Sequence, residues 1–215
     1  MTIKINYLNN VNRKSSNTLV LFTQENFNIS GLTKNLSNIE FSYINDLLKT
    51  SDLKKSLLAF ELSSQKKIIL ISIKKNLETS DVENLGAEFY SYLNHGNKGE
   101  FNINTDTIKS NIADFIGCFL HGLKLKSYEF NIYKSKKEKK FFSINVIGKQ
   151  SKLTIKNKLR FKAIEEGTFF ARDLVSEPPN VLNPKEYTNR LLKLRKLGIK
   201  VTVYNEAQMK KLGMH

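Results

Sequence analysis

Every proline in this chain falls within one seven-residue window, Pro178, Pro179 and Pro184, after 177 residues without one. Proline cannot donate a backbone hydrogen bond and it pushes the residue before it out of the helical region. A helix that runs into Glu177 therefore has to stop. The spacing predicts one long helix over 153–176, with Leu159, Ile164, Ala171, Leu174 and Val175 among its apolar positions. Lys156, Lys158, Lys162, Glu165 and Glu166 take the polar positions. Beyond the break, Asn183 has the chemistry of an N-cap, with Pro184 at the first helical position and Glu186 at the third. The helix that follows carries Tyr187, Leu191 and Leu194 on one face and stops at Gly198, which can take a left-handed conformation. Ile199, Val201 and Val203 then alternate as a strand, and Asn205 with Gln208 caps a short helix ending at Gly213.

The stretch before residue 147 alternates strand and helix signals. Strands are expected at Ile3–Leu8, Thr18–Thr23, Leu57–Leu62, Ile68–Ile73, Phe101–Asn104 and Phe141–Ile147, the third and fourth pairing as a hairpin. Between them come a weak helix near 38–49 and a helix capped by Ser80 and Glu83, with Val82, Leu85, Phe89 and Leu93 as its apolar stripe up to Gly96. The strongest periodicity lies over 109–123, where Ile112, Phe115, Ile116, Phe119, Leu120 and Leu123 recur at helical spacing. Interleaved helices and short apolar strands define an α/β fold, a mixed sheet with helices on both faces. Three regions result: an N-terminal α/β domain over 1–150, a linker helix over 151–178, and over 179–215 the incomplete beginning of a second α/β domain. One strand and two helices cannot bury their apolar faces alone.

Composition sets outer bounds. At 215 residues, 40% hydrophobic and 26% charged, the chain is long enough for a real core. Its longest apolar run, Ile68–Ile73, is broken by Ser72 and far shorter than the roughly 20 residues of a membrane span. The N-terminus alternates like a strand and lacks the apolar stretch of a signal peptide, and a single cysteine, Cys118, excludes an internal disulfide. The expectation is a cytoplasmic protein without a membrane partner. The net charge is +15, and residues 134–162 hold ten Lys and one Arg against Glu138. Such a block reads either as a solvated loop and helix face or as a nucleic-acid surface of the phosphate-contacting kind. Phe141 and Phe142, beside it, read as core residues of a strand rather than a stacking platform.

Catalytic chemistry is thin. Asp173 and Glu177 are four residues apart, near Arg172, but no histidine or further acid stands at ligand spacing. They are expected to close the helix end. His95, His121 and His215 are scattered, the first two suiting a helix cap and a helix flank. Cys118 has no base beside it in sequence, and no glycine-rich phosphate loop occurs.

The segment Ala171-Arg172-Asp173-Leu174-Val175, then Glu177-Pro178-Pro179-Asn180, then Pro184 opening a helix, resembles the domain junction of the leucyl (cytosol) aminopeptidase family. The flanking AIEEGTFFARDLVSEPPN and LGIKVTVYNEAQMKKLGM follow that family's order of elements, and GCFLHGLKLKSYEFNIYK fits it more loosely. Ser176 and Asn183 stand where the family usually has Asn and Thr, all of them small polar residues. The resemblance implies a two-domain, cytoplasmic, homo-hexameric metallopeptidase that removes N-terminal amino acids, preferably leucine, from peptide substrates. It implies two divalent metal ions, manganese or zinc, that activate a bridging water in the C-terminal domain. It also implies an N-terminal domain with a macro-like fold, which by itself assigns no ligand. Every metal and catalytic position of the family would lie beyond the segment matching Gly213–His215. The expectation is accordingly a fragment with no catalytic, cofactor-binding or metal-ligating residue of its own. The alternative is a stand-alone nucleic-acid-binding or regulatory domain with the same N-terminal fold.

Overall fold

The structure, a computed structural model, describes residues 2–8, 18–95, 99–135, 141–149 and 155–214. It has two compact units, 1–167 and 168–215. In the first, six strands form one sheet: β1 (Thr2–Leu8), β2 (Thr18–Gln24), β3 (Leu57–Ser63), β4 (Lys66–Ile73), β5 (Gly99–Asn104) and β6 (Phe141–Ile147). Their order across the sheet is β1-β6-β5-β2-β4-β3. Only β3 runs antiparallel to its neighbour, so β3 and β4 form the expected hairpin, with an irregularity between Glu61 and Ser63. All other pairs are parallel.

Alternation along the strands decides what each face meets. On β2, Val20 and Phe22 point to one side and Leu21 to the other. The Leu21 side, with Phe60, Ile68 and Leu70, is covered by Ile44 and Leu48 of α1 (Asn38–Thr50). The Val20 side, with Ile69, Ile71, Ile103 and Ile144, is covered by α2 (Thr79–Asn94) and α3 (Phe115–Lys126). This is the mixed α/β sheet with helices on both faces that the sequence implies. Rings lock the larger core: Phe119 meets Phe22 edge-on at 5.5 Å and Phe89 at 5.7 Å.

Helices α2 and α3 cross with almost no gap, because each presents a glycine at the crossing. A Cβ built on Gly122 would lie 1.9 Å from the Glu83 carbonyl oxygen, and one on Gly86 1.9 Å from the Phe119 carbonyl oxygen. Both neighbours are backbone, so neither glycine can carry a side chain without moving a helix.

Two expectations in this unit need correction. Helix α3 begins at Phe115, not at 109, because Asp114 adopts a left-handed conformation at φ 53°. The apolar periodicity runs on upstream because Ile108 and Ile112 pack onto the same core from a loop. The cap of α2 is also displaced. Glu78 and Asp81 form its capping box, while Glu83 is engaged with His121. The apolar stripe Val82, Leu85, Phe89 and Leu93 is buried as expected, and Gly96 lies outside the described residues.

Helix α4 (Ile155–Ser176) runs across the boundary between the two units and ends just before Glu177-Pro178-Pro179. Residues 151–154 lie outside the description. Its Leu159, Ile164 and Val175 are exposed rather than packed. In the second unit, Asn183 caps α5 (Pro184–Leu192) by accepting from the Glu186 amide at 3.0 Å. Gly198 closes the following 3-10 turn at φ 82°, and Asn205 with Gln208 forms the capping box of α6 (Glu206–Lys211). The strand expected at 199–203 does not form. Among the described residues no strand lies beside this segment, and the Val201 carbonyl is instead taken by the Arg195 side chain at 2.6 Å. An extended segment becomes a strand only when a neighbouring backbone takes its amides and carbonyls. No described helix is long and apolar enough to cross a membrane.

Candidate functional site

Two depressions in the first unit collect side chains capable of chemistry. The larger, about 1100 Å³, opens at the carboxyl ends of β2 and β4. The connection after β2 leads to α1 on one face and that after β4 leads to α2 on the other, so the sheet reverses its winding there. In α/β sheets this is where ligands settle. Its lining, however, sets Lys54, Lys55 and Lys74 against Glu25, Asp52, Asp81 and Glu88. Ser56 is hydrogen-bonded to the Glu88 carboxylate, so part of that acid is already engaged. Three cations against four acids give no net pull on a phosphate.

The smaller cavity, about 310 Å³, lies between β1, α3 and the first turns of α4. Ile3, Ile5 and Leu120 form its apolar wall, and Tyr7, Lys124, Lys158, Lys162 and Glu165 its polar one. His121 lies at its base, 4% exposed. Its Nδ1 is 2.9 Å from Glu83 Oε1, while its Nε2 is buried with no hydrogen-bond partner among the described residues. A carboxylate can only accept, so Nδ1 carries a proton and donates it to Glu83. A buried polar atom left unmatched costs about 1–3 kcal/mol. Phe161 of α4 tilts over the imidazole at 5.3 Å between ring centroids. Lys124 Nζ is 3.1 Å from Glu165 Oε2, and Lys158 Nζ stands 4.5 Å above the Tyr7 ring. Burial, with the Glu165 carboxylate adding to it, pushes the Tyr7 phenol up.

The side chains singled out in the sequence are not brought together. Glu177 is turned inward at 3% side-chain exposure and pairs with Arg190 at 3.0 Å, while Arg190 Nε reaches Glu186 at 3.0 Å. With Glu177 held there, Asp173 and Glu177 do not offer an open cation site. His95 is the C-cap residue of α2, as expected, and His215 lies outside the described residues. His121 is not the flank residue its position suggested. Helix α2 and Phe161, neither near it in sequence, bury it. Cys118 is buried, and burial, then Glu83 and Asp114, pushes its thiol up, away from the reactive thiolate. Phe142 is core, but Phe141 is 56% exposed, because alternation along β6 can bury only one of two successive residues. Of the basic block, Lys156, Lys158, Arg160 and Lys162 are exposed on α4, and 136–140 and 150–154 lie outside the description.

Among the described residues no group of three or more His, Cys, Asp or Glu side chains is placed to hold a metal ion. The described residues therefore offer no dinuclear centre, and no hydrolytic step is derived from them.

One polar feature went unread in the sequence. On the sheet face opposite Ile144, Asn6 Nδ2 donates to Asn145 Oδ1 at 2.9 Å and Asn145 Nδ2 to Asn102 Oδ1 at 3.0 Å. This amide row, buried at Asn145 and Asn102 and part-buried at Asn6, crosses β1, β6 and β5. Only the register, which brings together residues up to 139 apart in sequence, makes it visible.

Fold and sites together describe an α/β domain with a long exit helix and no metal centre among its described residues. No family model matches the chain. Its sequence is 38% identical over 109 residues to the probable cytosol aminopeptidase of Agrobacterium fabrum, a match covering 48% of this chain and 22% of that protein. Its structure is similar to that of a mutant tomato leucine aminopeptidase, with a TM-score of 0.71 at 16% identity, covering 99% of this chain and 46% of that one. A bottromycin maturation enzyme solved with Mn has a TM-score of 0.62 at 14% identity, covering 93% and 40%. The chain is thus related in sequence to the cytosol aminopeptidases, over about half its length, and has the fold of the leucine aminopeptidase structures. It spans less than half the length of the solved neighbours, and its sequence match about a fifth of the curated relative.

Proposed function

We propose that this chain is the front portion of a metal-dependent leucyl aminopeptidase, an enzyme that removes N-terminal amino acids from peptides. The observation that carries this reading is the pairing of a structural match over 99% of the chain with 46% coverage of the tomato enzyme. On this reading two manganese or zinc ions are held by residues outside these 215, and the first unit serves assembly or regulation of a cytoplasmic homo-hexamer. The regions 1–150, 151–178 and 179–215 are then the N-terminal domain, the linker and the opening of the catalytic domain. The exposed Leu197, Ile199, Val203, Leu212 and Met214 in the second unit support it, since such apolar surface is otherwise covered by a neighbour. The 215-residue chain is expected to leave leucine-p-nitroanilide intact in the presence of manganese. Turnover that rises with manganese and disappears with a chelator overturns the assignment of the chemistry elsewhere.

The exposed Lys156, Lys158, Arg160 and Lys162 favour a second reading, a surface for nucleic acid. On that reading the chain retards duplex DNA at low salt, and the affinity falls steeply as salt rises. Absence of any retardation at low salt removes it.

A further inference from the structure

We propose that the larger depression, at the carboxyl ends of β2 and β4, is a binding site for a small zwitterion. The ligand class is a free amino acid or short peptide, carrying both an ammonium and a carboxylate. The site uses residues of the first unit alone and does not depend on the aminopeptidase reading. Its charges select the ligand. Helix α2 lines the cavity with Asp81, Asn84, Leu85 and Glu88, at the i, i+3, i+4 and i+7 spacing of one helix face. That face carries acids and no cation. The cations come from other elements, Lys54 and Lys55 from the connection between α1 and β3, and Lys74 from the end of β4.

These opposite charges share one cavity without meeting. Among the described residues no ion pair joins Lys54, Lys55 or Lys74 to any acid, and Glu25, at the end of β2, has none either. Asp81 accepts from the Glu78 amide at 2.9 Å, and Glu88 accepts from the Ser56 hydroxyl. Each acid is thereby held in place, with a second oxygen still able to accept. Asp52, on the lysine side, accepts from the Lys54 amide at 3.1 Å. An anion drawn by the lysines is repelled by the acids, and a cation meets the reverse. A zwitterion satisfies both sets, its carboxylate on the lysines and its ammonium on the acids of α2.

The rest of the lining fits such a molecule. Leu57 and Leu77 pack against the larger core and Leu85 belongs to it, which gives an apolar floor for a ligand side chain. The volume, about 1100 Å³, has room for an amino acid or a peptide of a few residues. The rim is held in an unusual conformation. Asn26, on the lining, and Phe27 after it are both left-handed, at φ 57° and 54°, although neither is glycine. Strain of this kind persists only where the surrounding structure imposes it, and it gathers at ligand sites. Here Phe27 is buried in the core that α1 covers, and it anchors the turn that carries Glu25 and Asn26.

The test uses the 215-residue chain with isotope-labelled leucine methyls. Unlabelled L-leucine is titrated beside N-acetyl-L-leucine, which lacks the ammonium, and L-leucinol, which lacks the carboxylate. The expected result is a saturable shift of the Leu57, Leu77 and Leu85 signals with L-leucine, about tenfold tighter than with either analogue. A second arm uses leucyl-leucine, and its recovery intact keeps binding separate from hydrolysis. Tighter saturation by the dipeptide marks a peptide site, and tighter saturation by L-leucine an amino-acid site. Hydrolysis of the dipeptide would count against the proposed location of the chemistry, while the L-leucine arm still decides this site. Lys54→Gln combined with Lys55→Gln, both exposed, should weaken L-leucine roughly tenfold with Tm unchanged. Lys75→Gln, next to the lining but not part of it, should match the parent chain. Linear responses to both L-leucine and the dipeptide, equal affinity for L-leucine and its two analogues, or undiminished affinity in the double lysine variant overturns the proposal.

Discussion

Gly122→Ala should lower the unfolding free energy of the first unit by about 3 kcal/mol, the upper end for an overpacked core. The added methyl would sit 1.9 Å from the Glu83 carbonyl oxygen and 2.6 Å from the Glu83 Cα. Real carbon–oxygen contacts begin above 3 Å. Because those atoms are backbone, no rotamer relieves the clash and helix α2 has to move off α3. The same movement pulls the Glu83 carboxylate from His121 Nδ1, so the ring loses its orienting partner. For a unit of this size the loss amounts to roughly 10 °C in Tm. Gly167→Ala provides the control. A methyl there meets nothing within 4 Å, and alanine is the better helix former by up to about 1 kcal/mol, so this variant should be unchanged or slightly more stable. Equal melting temperatures for Gly122→Ala and the parent chain would refute the close crossing.

Phe119→Ala should cost about 3–5 kcal/mol, enough to leave the first unit marginal or unfolded. Phe119 is fully buried, and its ring touches Phe22 from β2 and Phe89 from α2, so its removal opens a void among three elements. Those neighbours are strand and helix residues that cannot collapse into the space without shifting the sheet or the α2–α3 crossing. Phe141→Ala is the matched comparison. The same side chain is lost from an exposed position, with an expected effect within about 0.5 kcal/mol. Urea denaturation of both variants decides it, and similar midpoints would show that Phe119 is not the keystone described.

The two phenylalanines also show what was legible in the sequence. All six strands could be read because each is a short apolar run or, at β1 and β5, an apolar–polar alternation, and the β3–β4 hairpin because only a short turn separates its strands. Helix caps that depend on neighbours within three residues, at Asn183 and Asn205, were equally plain. What escaped depended on partners remote in the chain. Ser80 and Glu83 had the spacing of a cap, yet Glu83 is bound 38 residues away at His121. His121 looked peripheral on its own helix because the residues that bury it come from α2 and α4. The start of α3 was misplaced because burial, not helicity, set the periodicity at Ile112. The alternation of Ile199, Val201 and Val203 was real, but alternation describes a side-chain pattern and a strand requires a partner. The amide row of Asn6, Asn145 and Asn102 follows from register alone, which no local pattern encodes.

The placement of β1 at one edge of the sheet fixes the order in which the protein can assemble during synthesis. Among the described residues its one ladder neighbour is β6, whose last residue, Ile147, is made long after Leu8. The β2, β3, β4 and β5 ladders can close while the chain is still growing, but the N-terminal strand has nothing to pair with until β6 emerges and inserts between it and β5. Until β6 emerges the first strand is an unpaired edge, and the last strand of the sheet to appear is the one that joins β1 to β5.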